Sequence, residues 1–401
     1  MNIYIVHEEA FPVGMAATNR ILALSKGFVE NQARVKIICM RSAERPDRGI
    51  VNKEWKGVVN GAEYEYASGT TIRANTFLKR RLQRLYAFLR IIAIIKNHSG
   101  RKRNDILLIY DFYSTLFVLY FYALTRLFGL LFVRDLSENP LAFKNRSLLW
   151  NLNLEIYFRY LHTMLDAVLV MSENLESILR SRGRKKLRII RVPMTVETTR
   201  FLEKTGPSPD HSRYIAYCGH VGGNKDGVSN LIESFALLAG KIDDIKLYII
   251  GDAPGTNDLE KLKKLATVLG ISHRVVFTGR VLFSEIPRYL CNASMLALAR
   301  PSSIQATAGF PSKLGEYLAT GNPVVVTRVG DIPLFLEDGV NAFIVAPDDN
   351  EEFSGKMGYV LMHPDVARLV GERGRKVALE KFDYKHQGKR ILDFFEDIAS
   401  A

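Results

Sequence analysis

The sequence predicts an α/β protein built as two doubly wound domains, and three observations carry that expectation. Its 401 residues are long for a single core. Short apolar runs alternate with amphipathic stretches along most of the chain. Near the middle a segment rich in Pro and Gly interrupts the alternation before it restarts. The hydrophobic share of 47% and the charged share of 24% are ordinary for a globular chain, and no tract reads as disordered.

In the first half IYIV reads as a strand, and a loop holding Pro12 and Gly14 leads into a helix over ATNRILALSKGFVENQ. RVKIICM is the next strand; DILLIY, a helix from about Ser114 to Phe128, LLFVRDL and DAVLVMSENLESILRS continue the pattern of a parallel sheet covered on both faces. RVPMTVETTRFLEKTGPSPDHS, residues 191–212, reads as an interdomain linker. The second half runs through YIAYCG, a helix VSNLIESFALLAG, IKLYIIGD, a helix LEKLKKLATVLG, RVVFTGR, IPRYLCNA, MLALA, AGFPSKLGEYLATGNPVVVT and AFIVAP. Open parallel sheets bind ligands at the carboxyl ends of their strands, so a cleft between the domains is the expected site.

Cys39, Cys218 and Cys291 lie far apart without metal-type spacing and read as buried thiols of a reducing compartment. MNIYIVHEEAF enters an apolar run with no basic region or cleavage pattern before it, which argues against a secretory signal. The net charge of +13 is unevenly placed: residues 1–205 hold 33 Lys+Arg against 18 Asp+Glu, and residues 206–401 hold 22 against 24. A basic first half suits an anionic partner, either a membrane surface or nucleic acid.

Two segments could carry chemistry. In AGFPSKLGEYLATGNPVVVT, Pro311 fits the first helical turn, and the amides of Ser312, Lys313 and Leu314 would then point out unpaired. With the helix dipole, the Lys313 ammonium and the Ser312 hydroxyl they would form an anion site. Glu316, one turn on from Ser312, could accept two hydrogen bonds from a vicinal diol such as ribose. The plainer alternative is that Glu316 only complements the dipole and Lys313 is solvated. YCGHVGGNKDGVSNLIESF offers glycines that let backbone approach a ligand and Lys225 within reach of a phosphate; it is neither a Walker loop nor a dinucleotide fingerprint, and such turns often serve packing alone.

The order of segments says more than any one of them. YCGHVGGNKDGVSNLIESFALL, LYIIGDAPG, RVVFTGRV, GFPSKLGEYLATGNPVVVT and DGVNAFIVAPDD together resemble the nucleotide-sugar-binding domain of glycosyltransferase family 4, retaining enzymes of the two-Rossmann GT-B fold. FPVGMAATNRILALSKGFVENQARVKIICM resembles the family's opening glycine loop and helix, and FDYKHQGKRILDFFEDI its final helix, which crosses back to the first domain. The resemblance implies an acceptor-side domain over 1–195, a linker over 196–212, a donor domain over 213–380 and a returning helix over 381–401. It implies that Lys225 holds the donor diphosphate, that backbone at Phe310, Pro311, Ser312, Lys313 and Leu314 surrounds it, and that Glu316 takes the ribose. Gly219 begins the glycine turn, Arg280 and Val281 flank the base, and Gly14 lies beside the phosphates. His220 stands where the family commonly has arginine, and Ala308 where it often has a first glutamate facing the sugar. The family's sugar-contacting histidine is not evident either, and Asp135 and Glu138, after LLFV, are the polar candidates for a catalytic role or for loop capping. The chain has no Asp-x-Asp triplet, so departure of the nucleotide without a metal is expected, and no cofactor beyond the nucleotide-sugar substrate.

Residues 73–103 contain ten Lys+Arg and no acidic residue. Leu78, Leu82, Leu85, Leu89 and Ile92 form one helical stripe, with Lys79, Arg80, Arg81, Arg84 and Arg90 as candidate membrane contacts; the alternative is a helix packed on its sheet. FYSTLFVLYFYALT, at fourteen residues, is short for a membrane span and suits a crossover helix. The expectation is therefore a cytoplasmic enzyme, peripheral on the inner face of the membrane, that moves a sugar from a nucleotide donor to a glycan or lipid-linked acceptor in polysaccharide or lipopolysaccharide synthesis. A nucleotide-sugar epimerase of related fold, or a basic nucleic-acid binder, is the alternative.

Overall fold

The computed structural model describes residues 1–98, 105–110, 114–139, 147–182, 187–202, 206–208 and 212–400. Residues 99–103 of the basic stretch and parts of the expected linker lie outside these. The chain divides into two compact units, Met1–Thr195 with Tyr384–Ala401, and Val196–Asp383.

The first unit is built on eight strands: β1 (Asn2–His7), β2 (Arg34–Cys39), β3 (Lys56–Val59), β4 (Ala62–Tyr66), β5 (Ile106–Tyr110), β6 (Leu131–Leu136), β7 (Ala167–Val170) and β8 (Arg188–Arg191). Their order is β3-β4-β2-β1-β5-β6-β7-β8, all parallel except the β3–β4 pair. The central strands are apolar on both faces, as a sheet covered twice requires: Ile3, Ile5, Ile37, Ile106 and Leu108 are almost wholly buried. The β3–β4 hairpin turns at Asn60–Gly61, both with positive φ, the geometry of a two-residue primed turn. Neither this hairpin nor β8 was anticipated from sequence, although Asn-Gly is the dipeptide such a turn favours.

Helices α1 (Ala16–Glu30), α2 (Phe77–His98), α3 (Thr115–Phe128), α4 (Leu148–Arg159) and α5 (Glu173–Arg182) complete this part of the unit. The apolar run at 115–125 forms α3, a crossover between β5 and β6 that buries Val118, Phe121 and Leu124 and ends at Gly129 in the left-handed region. Among the described residues no helix is long and apolar enough to cross a membrane. Helix α2 buries Ala87, Ile91, Ile94 and Ile95. Its leucine stripe is on the other side: Leu78, Leu82, Leu85 and Leu89 are 68%, 56%, 57% and 61% exposed.

The second unit has six parallel strands, β9 (Arg213–Cys218), β10 (Ile245–Ile250), β11 (Val275–Gly279), β12 (Met295–Leu298), β13 (Val324–Thr327) and β14 (Phe343–Val345), in the order β11-β10-β9-β12-β13-β14. The reversal of strand order beside β9 is the topological switch point where such sheets take ligands. Its helices are α6 (Val228–Ala239), α7 (Asp258–Val268), α8 (Ile286–Cys291), α9 (Ile304–Ala308), α10 (Ser312–Ala319), α11 (Asn350–Met362) and α12 (Pro364–Val377). The α11–α12 pair, capped by Asp349 on the Glu352 amide at 2.8 Å, was not anticipated from sequence.

Helix α13 (Tyr384–Ser400) belongs to the first unit and lies along α1. Two glycines set the approach: a Cβ on Gly388 would sit 2.5 Å from the Gly27 carbonyl carbon, and one on Gly27 2.2 Å from the Tyr384 carbonyl oxygen. Asn31 donates to the Lys385 carbonyl at 3.0 Å and Tyr384 to Glu30 at 2.7 Å. Gly388→Ala, blocked by backbone on the facing helix, is expected to destabilise the first unit by about 2 kcal/mol. Gly355→Ala, where an added Cβ meets nothing within 4 Å in α11, should instead stabilise by about 0.5–1 kcal/mol. Urea unfolding of the two variants checks both signs.

Candidate functional site

The segments singled out in the second half meet at the carboxyl end of the second sheet. β9 ends at Cys218, and the turn from Gly219 to Gly227 leads into α6. Gly227 has φ +66° and its Cβ would lie 1.7 Å from the Ala299 carbonyl oxygen, so only glycine closes the turn against the end of β12. The Gly223 amide donates to Asp258 at 3.0 Å, fixing the tip. Helix α10 is docked on the same strand end: Tyr317 accepts the Cys218 amide at 2.6 Å and donates to its carbonyl at 3.2 Å.

At the start of α10 the structure corrects the sequence expectation in two respects. Pro311 is the residue before the helix, with φ −69° and ψ 113°, rather than its first helical residue. The Leu314 amide is bonded to the Pro311 carbonyl at 3.0 Å, which leaves Ser312 and Lys313 as the outward amides. Phe310 turns its ring inward against Phe335 and Phe382, 5.4 Å from each, so that only its backbone can face a ligand.

Lys313 is not solvated. Its side chain crosses Gly219, where a Cβ would come 2.3 Å from Cε, and its ammonium meets Asp226 at 2.6 Å. Asp226 also accepts from the Tyr217 hydroxyl at 3.1 Å and lies 3.7 Å from Arg300, whose side chain is 1% exposed. Burial alone would raise the Asp226 carboxyl, but Lys313 and Arg300, with the hydrogen bonds from Lys313 and Tyr217, outweigh it and hold it below the usual carboxylate range. Two cations around one carboxylate leave the floor of the turn with one net positive charge. Among the described residues the Arg300 Nη1 has no hydrogen-bond partner.

Glu316, half-buried one turn into α10, has a partner that sequence reasoning missed. Arg200 comes within 3.5 Å of it, donates to the Phe283 carbonyl at 2.7 Å and stacks on the Phe283 ring at 3.5 Å. Burial raises the Glu316 carboxyl, and Arg200 and then Lys313 oppose that rise. Arg200 lies in a short turn, Thr198–Phe201, inside the stretch read as linker, and no local pattern marks it. Phe283 follows Arg280 and Val281 in the loop after β11, so that loop and the Glu316 carboxylate are joined through one guanidinium.

The remaining expected residues are placed as follows. Gly219 lies under Lys313, and His220, Lys225 and Arg280 are exposed at the rim. Ala308 is buried at the end of α9. Gly14 belongs to the first unit, in the turn before α1. Asp135 is fully buried in β6, and Arg20 of α1 grips both of its oxygens at 2.8 and 3.1 Å. That carboxylate ties helix to sheet and cannot touch a substrate, which corrects its reading as a catalytic candidate; Glu138, just past the strand, is exposed. Of the five expected membrane contacts, Arg84 pairs with Glu8 while its side chain stays 40% exposed, and Arg90 pairs with Glu65 and stacks on Trp55, which turns it into the unit. Among the described residues no cluster of three or more His, Cys, Asp or Glu is placed to hold a metal ion.

Residues 212–363 match the family model for glycosyl transferases group 1. The second unit therefore carries the group 1 glycosyl transferase pattern. The chain is 28% identical over 217 residues to a GDP-mannose-dependent alpha-(1-6)-phosphatidylinositol monomannoside mannosyltransferase of Mycolicibacterium smegmatis, 50% of this chain and 54% of that one. It is 29% identical over 206 residues to an MMP alpha-(1->4)-mannosyltransferase of Mycolicibacterium hassiacum, 51% of this chain and 47% of that one. The chain thus spans about half the length of these curated relatives. Solved structures match along the whole chain. Sucrose-phosphate synthase from Thermosynechococcus elongatus aligns with TM-score 0.75 at 14% identity, covering 100% of this chain and 99% of that one. Anabaena HepE in complex with UDP aligns with TM-score 0.70 at 15% identity, covering 99% and 100%. At these identities the likeness is one of fold, and the chain has the two-Rossmann GT-B fold.

Asp226→Asn should destabilise the second unit by about 3 kcal/mol, because Lys313 and Arg300 would stay buried without their counter-charge. Since the folded carboxyl titrates below its unfolded value, the contribution is complete above the ordinary aspartate range and is lost as pH falls below it. Urea unfolding from pH 7 down to pH 3 checks this: the difference between wild type and variant should shrink only at the acid end.

Proposed function

We propose that the chain is a retaining glycosyltransferase that takes a nucleoside-diphosphate sugar in its second unit and transfers the sugar to a glycan or lipid-linked acceptor. The observation that carries the reading is the arrangement around α10. Two outward amides, a net positive floor under a glycine turn and a carboxylate one turn further on match, in sequence along a ligand, a diphosphate and a ribose. The match of residues 212–363 to glycosyl transferases group 1 supports it, as do relatives named for GDP-mannose and a structural neighbour holding UDP.

In this reading the donor diphosphate lies across the amides of Ser312 and Lys313, with exposed Lys225 closing over it. As the bond from sugar to diphosphate lengthens, negative charge grows on the phosphate oxygens, and preoriented amides and cations stabilise that growth more than they stabilise the bound donor. The sugar acquires oxocarbenium character and the acceptor oxygen attacks the same face. Neither a protein nucleophile nor a metal is called on. Glu316 is held by Arg200 in the orientation that receives the ribose hydroxyls, and Phe283 lies where the base would rest.

The proposal places the first unit at the inner face of a membrane, in the making of surface polysaccharide or lipopolysaccharide. The exposed leucine stripe of α2 supports this, together with Leu116 of α3 and Leu148 and Leu149 of α4, 75%, 88% and 78% exposed, on helices that pack side by side. Lys79 and Arg81 flank the stripe, a basic rim around an apolar strip that suits an anionic leaflet.

Glu316→Ala and Lys225→Ala are each expected to weaken nucleoside-diphosphate binding about tenfold by calorimetry, the loss of a charge-assisted contact. Unchanged affinity in both, with the fold intact, would overturn the donor site. Replacing Leu82, Leu85 and Leu89 together by Ser should lower cosedimentation with anionic vesicles more than about tenfold, since each buried leucine contributes roughly 1.5–3 kcal/mol. Undiminished cosedimentation would make the stripe irrelevant to membranes.

A further inference from the structure

The first unit gathers four arginines at the carboxyl ends of β2 and β4. The chain leaves β2 at Cys39, and Arg41 and Arg45 follow on the surface. A parallel bridge joins Glu44 to Ile72, and the Arg73 amide donates to the Glu44 carbonyl at 2.9 Å, which returns Arg73 beside Arg45. The first turns of α2 are clamped to the same return: Gln83 accepts the Ala74 amide and donates to the Ile72 carbonyl, both at 3.1 Å, bringing Arg80 in. Partial burial, then the charges of Arg41, Arg45 and Arg80, push the Arg73 guanidinium below its ordinary range.

None of these four guanidiniums has a hydrogen-bond or ion-pair partner among the described residues, while Glu44, Glu65 and Glu8 nearby are committed elsewhere. Glu44 is buried and takes the Val51 amide at 2.8 Å and the Asn52 side chain at 2.7 Å. Glu65 is paired with Arg90, and Glu8 with Arg84. Glu9, exposed after β1, feels Arg41 without forming an ion pair. Beside the cluster lies a shallow surface cavity, open to solvent, of about 390 Å³ lined by Ser68, Ala74, Lys79, Leu82, Gln83 and Tyr86, with Leu82 56% and Tyr86 52% exposed. Leu82 belongs both to this cavity and to the exposed stripe of α2.

Converging like charges are unfavourable unless an anion joins them, and planar guanidiniums suit the oxygens of a phosphate in particular. We propose that Arg41, Arg45, Arg73 and Arg80 bind a phosphate ester borne by the acceptor, with the adjoining alkyl portion in the cavity against Leu82 and Tyr86. The inference deepens the function proposed above and rests on its assignment of the acceptor to the first unit. It makes the acceptor an amphiphilic phosphate rather than a neutral glycan, and it links the anion site directly to the strip that would face lipid.

The test is calorimetric titration of the full chain with octyl phosphate, inorganic phosphate, n-octanol and a nucleoside diphosphate, in wild type and in Arg73→Gln/Arg80→Gln. Octyl phosphate should bind wild type, and bind the variant at least about tenfold more weakly through loss of charge-assisted bonds. Inorganic phosphate should bind more weakly than octyl phosphate and be lost in the same variant, and the nucleoside diphosphate should bind both proteins alike. Octyl phosphate binding that survives in the variant, or is matched by n-octanol, would overturn the anion site. Inorganic phosphate binding as tightly as octyl phosphate would overturn the role of the cavity. Failure of the nucleoside diphosphate to bind wild type would sink the donor reading and leave the result at the arginines standing.

Discussion

A carboxylate held between two buried cations organises the strand ends of the second unit. Asp226 draws Lys313 across Gly219 and faces Arg300 at the end of β12, so that the glycine turn, α10 and the central strands share one electrostatic floor. Remove the carboxylate and the cations repel; add a Cβ at Gly219 and the lysine must shift from its path across the turn. The same contact decides what a ligand meets. Because Lys313 is spent on Asp226, what the start of α10 presents is two backbone amides over a net positive base, with Lys225 exposed at the rim.

The glycine turn and α10 were legible because their signals are local: glycines before a helix, Ser and Lys at a helix start, an acid one turn on. What each side chain does was less legible. Lys313 was expected at a phosphate and is found on a carboxylate, since nothing in Asn224-Lys225-Asp226-Gly227 reveals that Asp226 turns inward. Arg200 could not be found at all, because its partners Glu316 and Phe283 are remote in sequence and its own neighbours read as linker. Asp135 looked like a strand-end acid open to substrate, whereas only the fold brings Arg20 across to it.

Much of the fold follows from period and punctuation, and the failures share a cause. Helix α2 carries two apolar faces, and a helical wheel cannot say which of them the sheet takes. The sheet took Ala87, Ile91, Ile94 and Ile95, which leaves the better-marked leucine stripe outside. The hairpin at 56–66 was obscured by its short strands, and α11 by a weak apolar pattern. In the first unit, then, the surplus of positive charge and the surplus of exposed leucine are both properties of elements that pack well enough without them.

The central claim is that the backbone amides of Ser312 and Lys313 at the start of α10, beside the glycine turn that carries Lys225, receive a diphosphate. Amide hydrogen exchange read by mass spectrometry, with and without a nucleoside diphosphate, addresses it most directly. The account predicts slowed exchange in peptides covering 219–227, 279–285 and 310–318, with the remainder of the second unit little changed. Protection absent from 310–318, or concentrated away from these three segments, would contradict it.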